Sequence, residues 1–315
     1  MSVLKILICV ETGKIKISIF VGCGQRMKNI TAMRRKLQKI LIKTVLLAVG
    51  FLFCAPVLFL LSGSIMSRYE LSQSLLPLMT GQEELITWAF FPRYPTFEHY
   101  ARILFQTPQF FVVFWNSMKM VCLILAGQFF IAVPAAWAFA VYPFRGRKLL
   151  FTLYIVLMLM PFQVTMLSSY LVLNRLELLN THGAIILPAA FSAFPVFLIY
   201  RDFCNLPKGL IEAARIDGAG EWMIFRKIGL PLASGGILSA GVLGFLEYWS
   251  LIEQPLAFLE DQTLWPLSLY LPEIGPEQAG YSFVAAVITL IPAVFVFLAG
   301  REYLEQGITA SAVKG

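Results

Sequence analysis

The sequence predicts an all-α, polytopic membrane protein with six transmembrane helices. Three observations predict it. Of 315 residues, 58 % are apolar and only 14 % are charged, against roughly 25 % charged in an ordinary soluble domain. The apolar residues gather into six stretches of membrane-crossing length, and the basic residues gather in alternate connections, on one side. With a mean hydropathy of +0.76, a soluble chain of this size could not hide its apolar surface, so the solvent is lipid. A disordered chain, a collagen and a disulfide scaffold are excluded on the same grounds. The five cysteines (Cys9, Cys23, Cys54, Cys122, Cys204) are scattered without a C-x-x-C and read as small hydrophobes.

Residues 1–22 hold short apolar runs broken by lysines. They are too short to span and lack a small-residue cleavage site, which argues against a signal peptide. Residues 1–33 are therefore expected to be a cytoplasmic N-terminal extension, with the functional chain starting near Met27 or Met33. Residues 34–66 carry the first transmembrane helix, with 18 uncharged residues at 44–61. Residues 67–115 are an external segment. The core, 116–301, holds apolar stretches at 120–142, 149–173, 184–200, 233–250 and 283–300. Each is near the roughly 20 residues that cross about 30 Å of hydrocarbon. Prolines 56, 134, 161, 188, 195 and 292 fall inside the stretches, where membrane helices tolerate kinks. Residues 302–315 form a cytoplasmic tail.

Orientation follows from Lys and Arg. Ten lie in residues 1–43, three in 143–148, five in 201–231, and Arg301 and Lys314 in the tail, twenty in all. The opposite side has four: Arg68, Arg93, Arg102 and Arg175. Both termini are therefore expected in the cytoplasm. The charge of +7 is a topology signal, and a nucleic-acid partner loses its support.

No G-x-x-x-x-G-K-[ST] occurs, so the chain has no phosphate-binding loop of its own. The two histidines, His99 and His182, stand in external segments away from any acid–cysteine cluster, against a metal site or a catalytic triad. His99 reads as a surface residue of a short helix. No catalytic residue and no cofactor are expected in this chain.

The informative segment is the cytoplasmic loop 202–232. Pro207 suits a first helical turn, and Glu212 and Arg215 are i,i+3 neighbours. Gly218 and Gly220 permit the left-handed turn that would stop that helix. A second short helix follows with Trp222, Phe225 and Ile228 available to pack, ending at Leu230-Pro231. Together they form a compact knob. The plainer alternative is a surface helix–turn–helix that only joins two spans.

This string resembles the E-A-A-x-x-x-G-x(9)-I-x-L-P signature of ATP-binding-cassette importer permeases, through Glu212-Ala213-Ala214, Gly218, Ile228, Leu230 and Pro231. The run Glu212-Ala213-Ala214-Arg215-Ile216-Asp217-Gly218-Ala219 points to the carbohydrate-uptake branch, the maltose-permease-G-like subunits. Asn116-Ser117, Leu178-Leu179-Asn180-Thr181, Pro95-Thr96…Tyr100 and the tail from Arg301 to Gly315 also resemble that family. Two departures stand out. Trp249-Ser250 replaces the family's frequent W-N, and the segment between Ser67 and Pro95 looks longer than usual.

The resemblance implies a MetI-like type I importer permease fold in the bacterial inner membrane. It implies alternating access, a second permease subunit, two ATP-binding subunits that hold ATP and Mg, and an external solute-binding protein. Glu212, Ala213, Ala214, Arg215, Asp217, Gly218, Leu230 and Pro231 would form the joint to an ATPase subunit. Glu212 would make a charge or cap contact, the two alanines would allow close approach, and Gly218 would set the turn. A glycerol-phosphate or polyol permease of the same superfamily is the main alternative. A secondary transporter is a further one, although no repeated halves are visible.

Lys119 and Glu247 are charges inside spans, in the outer half of the membrane. They either pair or face the translocation cavity; alternatively Lys119 snorkels to the interface. Gly236, Ala240 and Gly244 put small residues on one face of the fifth span, for close helix packing or as ordinary membrane glycine enrichment. The external loop 253–280 has five acids (Glu253, Glu260, Asp261, Glu273, Glu277) and no base; it either touches the binding protein or is merely solvated. Tyr248 and Trp249 could stack on a sugar or simply pack.

Overall fold

The structure is a computed structural model that describes the backbone of residues 22–80, 91–270 and 278–312, and side chains within 36–75, 91–270 and 278–304. The body of the expected extension, residues 1–21, lies outside the described residues, as do Glu273 and Glu277. Among the described residues every regular element is helical. The chain divides into two units, Met1–Phe59 and Leu60–Gly315.

The first unit is helix α1, which runs Gly22–Ser64 and so ends just inside the second unit. It begins within the segment assigned to the extension. Its part long and apolar enough to cross a membrane is Lys36–Ser64. Pro56 sits inside it without a break, and the apolar side chains from Leu37 to Phe53 are exposed.

The second unit opens with α2 (Arg68–Thr80) and α3 (Glu98–Gln106). A single bridge between Met66 and Pro95 and a 2.8 Å hydrogen bond from the Thr96 N–H to the Ile65 carbonyl staple this segment. Helix α4 (Pro108–Val141) is the central post. It packs against α7 (Gly183–Ala190), α8 (Ala193–Cys204) and α12 (Ser234–Trp249), and α12 packs against α14 (Ala279–Ala312). One apolar core gathers around Phe110, Ile124 and Trp249, the other around Trp137, Phe203 and Phe225. Helix α4 contributes to both, so it joins the two ends of the unit.

The six expected spans correspond to four helical stretches without a sharp bend and two bent pairs. Lys36–Ser64, Pro108–Val141, Gly183–Cys204 and Ala279–Leu304 are each long and apolar enough to cross. The third stretch is instead split into α5 (Arg147–Leu159) and α6 (Phe162–Arg175), which meet at 102°. Pro161 causes the break. It has no N–H to donate and forces Met160 into extended backbone, with φ −75° and ψ 121°. A bend of 68° likewise separates Glu221–Leu232 from α12, the helix formed by the fifth stretch. Six is the count when each bent pair is one span.

The fourth span is also interrupted, at Phe191–Ser192 between α7 and α8. The carbonyl of Ala189 accepts there from the Ser192 N–H at 3.1 Å in a tightened turn, and the buried Gln128 amide adds a second donor at 2.9 Å while also donating at 2.9 Å to the Tyr248 hydroxyl. This is how membrane helices survive a break: a neighbour satisfies the freed carbonyl.

The small-residue face of α12 is used inside the chain. A Cβ on Gly244 would come 2.9 Å from Leu125, and one on Gly236 would overlap the Asp202 carboxylate. Gly236, Ala240 and Gly244 are all buried. Tyr248 and Trp249 are buried too, with Trp249 stacked on Phe245 at 5.4 Å and its Nε1 donating to Thr289 O. Their role here is packing.

Candidate coupling site

The loop that the sequence singles out becomes helix α9 (Lys208–Ile216), a turn, helix α10 (Glu221–Ile224), one turn of π-helix (Phe225–Gly229) and α11 (Leu230–Leu232). Pro207 precedes the first helix, as its missing N–H allows. Gly218 reverses the chain with φ +81°, a conformation that other residues resist. Gly220 does not share that role. Its φ of −67° and ψ of 152° make it an extended residue before α10.

The expected Glu212–Arg215 neighbour contact is not the pairing that closes the knob. Arg215 reaches across the Gly218 reversal to Glu221 instead, Nε to Oε1 at 2.7 Å and Nη2 to Oε2 at 3.2 Å. Glu221 also accepts from the Tyr142 hydroxyl at 2.9 Å. One carboxylate thus ties α9, α10 and the end of α4 together. Its hydrogen bonds hold the Arg215 guanidinium above its ordinary value. Glu212, Asp217 and Pro231 stand exposed, Ala214 and Leu230 half-buried, and Ala213 exposed.

Beneath the knob lies an aromatic seat that the sequence did not reveal. Trp137 of α4 packs edge-on to Phe203 of α8 at 5.1 Å and against Phe225 of the knob at 5.5 Å. Gly229 touches the same ring so closely that a Cβ would lie 2.6 Å from it. Ile211, Ile224 and Phe225 are buried in this core. The outward face is the opposite: Leu210, Ile216, Trp222 and Met223 are exposed, Ile216 by 86 % and Trp222 by 70 %. Trp222 packs one side of its ring on Phe225 at 5.4 Å and leaves the rest exposed. A second tie lies below the seat. The Gly236 N–H donates to the Asp202 carboxylate, which joins the end of α8 to the first turn of α12. The knob is rigid underneath and apolar on top.

At the other end of α12 the chain makes α13 (Glu253–Phe258) and two 3-10 turns, Gln262–Leu264 and Leu267–Leu269. Here the two short motifs quoted for the resemblance gain a job. Asn116 Nδ2 donates to the carbonyls of Thr263 at 2.7 Å and Trp265 at 3.2 Å. Ser117 Oγ accepts the Leu267 N–H at 2.6 Å. Asn180, left-handed at φ 55°, accepts the N–H groups of Glu260 and Asp261 and donates its own to Phe258 O. His182 Nε2 donates to Leu264 O at 3.0 Å, and burial holds its pKa below the ordinary value. The exposed Asp261 caps the Thr263 N–H, which lowers its pKa.

Lys119 and Glu247 are both exposed, and neither joins an ion pair among the described residues. The structure does not bring them together as a pair. His99 corrects the expectation of a surface residue. It is wholly buried, edge-on to Tyr281 at 5.4 Å, in a slot that exists because Gly280 has no Cβ. Among the described residues no cluster of His, Cys, Asp or Glu could hold a metal ion.

Comparison with known proteins shows the family to which the chain belongs. Residues 128–310 match the family described as binding-protein-dependent transport system inner membrane component. The chain is 32 % identical, over 90 % of its own length and all of the relative's, to the arabinooligosaccharides transport system permease protein AraQ of Halalkalibacterium halodurans. It is 30 % identical, over 64 % of this chain and 74 % of the relative, to the sn-glycerol-3-phosphate transport system permease protein UgpE of Salmonella typhi. Its fold is similar, with a TM-score of 0.70 and 20 % identity over 85 % of this chain and 96 % of the other, to a chain in the crystal structure of a bacterial ABC transporter involved in the import of the acidic polysaccharide alginate. This chain belongs to the family of binding-protein-dependent transport inner membrane components and is a multi-pass permease subunit.

Proposed function

We propose that the chain forms one half of the translocation path of an ATP-driven importer for a sugar or short oligosaccharide. A second permease subunit forms the other half, and two ATP-binding subunits sit against the cytoplasmic ends. Both termini face the cytoplasm, in keeping with the twenty-to-four split of basic residues. ATP and Mg are bound by the partner chains.

The observation that carries the coupling role is the two-sided knob. Its inner side is locked onto α4 and α8 by Trp137, Phe203 and Phe225, while Leu210, Ile216, Trp222 and Met223 are left bare. An apolar patch at the water-facing end of a membrane protein is the mark of a docking surface. Nucleotide can shift the transporter between states only through contacts that differ between them. A rigid knob in a groove of a moving ATPase is such a contact, and α4 and α8 receive its displacement directly. The 253–270 loop, held by Asn116 and Asn180, offers Glu260 and Asp261 to the solute-binding protein.

Arabinooligosaccharide transport by the AraQ relative favours the sugar reading. Similarity to the glycerol-phosphate permease favours an anionic solute as the second. Uptake in vesicles holding the permeases, the ATPase and the binding protein tests both. Vanadate-sensitive uptake of a neutral sugar that glycerol phosphate does not compete with supports the first reading. Competition by glycerol phosphate selects the second, and uptake without ATP rejects both.

A further inference from the structure

Helix α3 has three faces where an ordinary surface helix has two. At about 100° per residue, His99, Tyr100 and Ile103 fall in one sector, and His99 and Ile103 are fully buried against the protein. Glu98, Arg102 and Gln106 fall in a polar sector, all exposed. Between them on the far side lies a second apolar sector, Phe97, Ala101, Leu104 and Phe105, that stands exposed among the described residues. Phe105 is 84 % exposed and Phe97 71 %.

One residue, Thr107, separates α3 from Pro108, where the span α4 begins. Chain connectivity therefore holds α3 at the outer end of α4. The bare apolar sector continues along α4 through Phe111, Val112 and Trp115, all exposed. The polar sector carries a cation beside it. Arg102 lies 4.8 Å above the Tyr281 ring, and Arg68 donates to the Tyr281 hydroxyl at 2.9 Å while pairing with Glu98 at 3.1 Å.

We propose that α3 is an interfacial helix, docked on the protein by one apolar face and on the lipid headgroup region by the other. Phe97, Leu104 and Phe105 enter the boundary between headgroups and acyl chains, and Arg102 stands beside the lipid phosphates. Three points select a lipid surface as occupant: continuity with the exposed apolar side of α4, the enrichment in aromatic residues, and the cation at the rim. The lengthened 67–95 segment leads into this helix. The inference goes beyond the transport reading and does not depend on which solute is carried.

The test uses the assembled transporter in vesicles of phosphatidylethanolamine and phosphatidylglycerol, with the five native cysteines replaced. Nitroxide labels are placed singly through Phe97→Cys, Phe105→Cys and Glu98→Cys, and collisions with oxygen and with a water-soluble nickel chelate are compared. The expected result is oxygen-favoured collision at positions 97 and 105 and nickel-favoured collision at 98. Nickel-favoured collision at 105 would mean that water or a soluble partner covers this face, and would overturn the proposal. Shielding from both reagents at 97 and 105 would mean that a protein subunit covers it, which overturns the proposal equally. Positions 97 and 105 report the same face, so loss of assembly in one variant leaves the other decisive.

Discussion

The connectors at the two ends of α12 are held by different physics. The 205–233 knob is seated by side-chain packing: Trp137, Phe203, Phe225 and Gly229 below, with one exposed ion pair above. The 253–270 loop is seated by hydrogen bonds to its main chain, from Asn116, Ser117, Asn180 and His182. Packing of this kind resists tilt of a whole helix pair and leaves the outer face free for a partner. Amide-to-backbone bonds fix the path of an irregular strand of chain residue by residue. The first suits a joint that carries force, the second a platform whose shape must not change.

Breaking the knob should have the largest effect. Gly218→Asp puts a side chain at φ +81°, where the strain is on the order of 1–3 kcal/mol, and adds a charge beside the bare face. Insertion into the membrane should persist, measured by immunoblot, while ATP-dependent uptake is abolished. Gly229→Ala should come next. The new Cβ meets a tryptophan already pinned by two phenylalanines, an overpacking cost of about 1–3 kcal/mol. Uptake per ATP hydrolysed should drop several-fold in proteoliposomes.

The platform should fail in another way. Asn116→Ala leaves the carbonyls of Thr263 and Trp265 unsatisfied, at about 1–2 kcal/mol. Basal ATPase activity of the complex should stay unchanged while stimulation by the binding protein weakens. A fall in basal activity instead would erase the contrast between the two ends.

A smaller effect is expected from pH. Burial, then the Arg68 charge, hold His99 below its ordinary value of 6.5, so the folded state keeps it neutral. That contribution is fully present above pH 6.5 and is lost as pH falls through the lowered value. The melting temperature of the complex should drop on acidification below 6.5, and His99→Gln should flatten that slope. The smallest effect belongs to Arg215→Ala. Its ion pair with Glu221 is exposed on both sides and screened by salt, so uptake should fall less than in any variant above.

Much of this contrast was legible in the sequence. Hydropathy located the four candidate spans and both bent pairs among the described residues, and the Gly218 reversal followed from glycine's freedom alone. What escaped was non-local. The i,i+3 rule pairs Arg215 with Glu212 because it sees one helix, whereas the reversal at Gly218 carries Glu221 back into reach. His99 looked like a surface residue because the glycine that makes its slot lies in another helix, α14. Asn116 and Asn180 could be matched to a pattern, but the main-chain groups they hold belong to a loop far along the chain. The split of the third span needed the local backbone: Pro134 and Pro292 stay inside helices, while Pro161 ends one.

The central claim is that the bare face of the knob is the joint to the ATP-binding subunit. A photoreactive residue at Ile216 in the assembled transporter, with a second at Ser268 in the 253–270 loop as the contrast, tests it most directly. The account predicts that light couples position 216 to the ATP-binding subunit, with a yield that changes when ATP and vanadate trap the closed state, and that position 268 never does so. Absence of that product from 216, or its appearance from 268, would contradict the account.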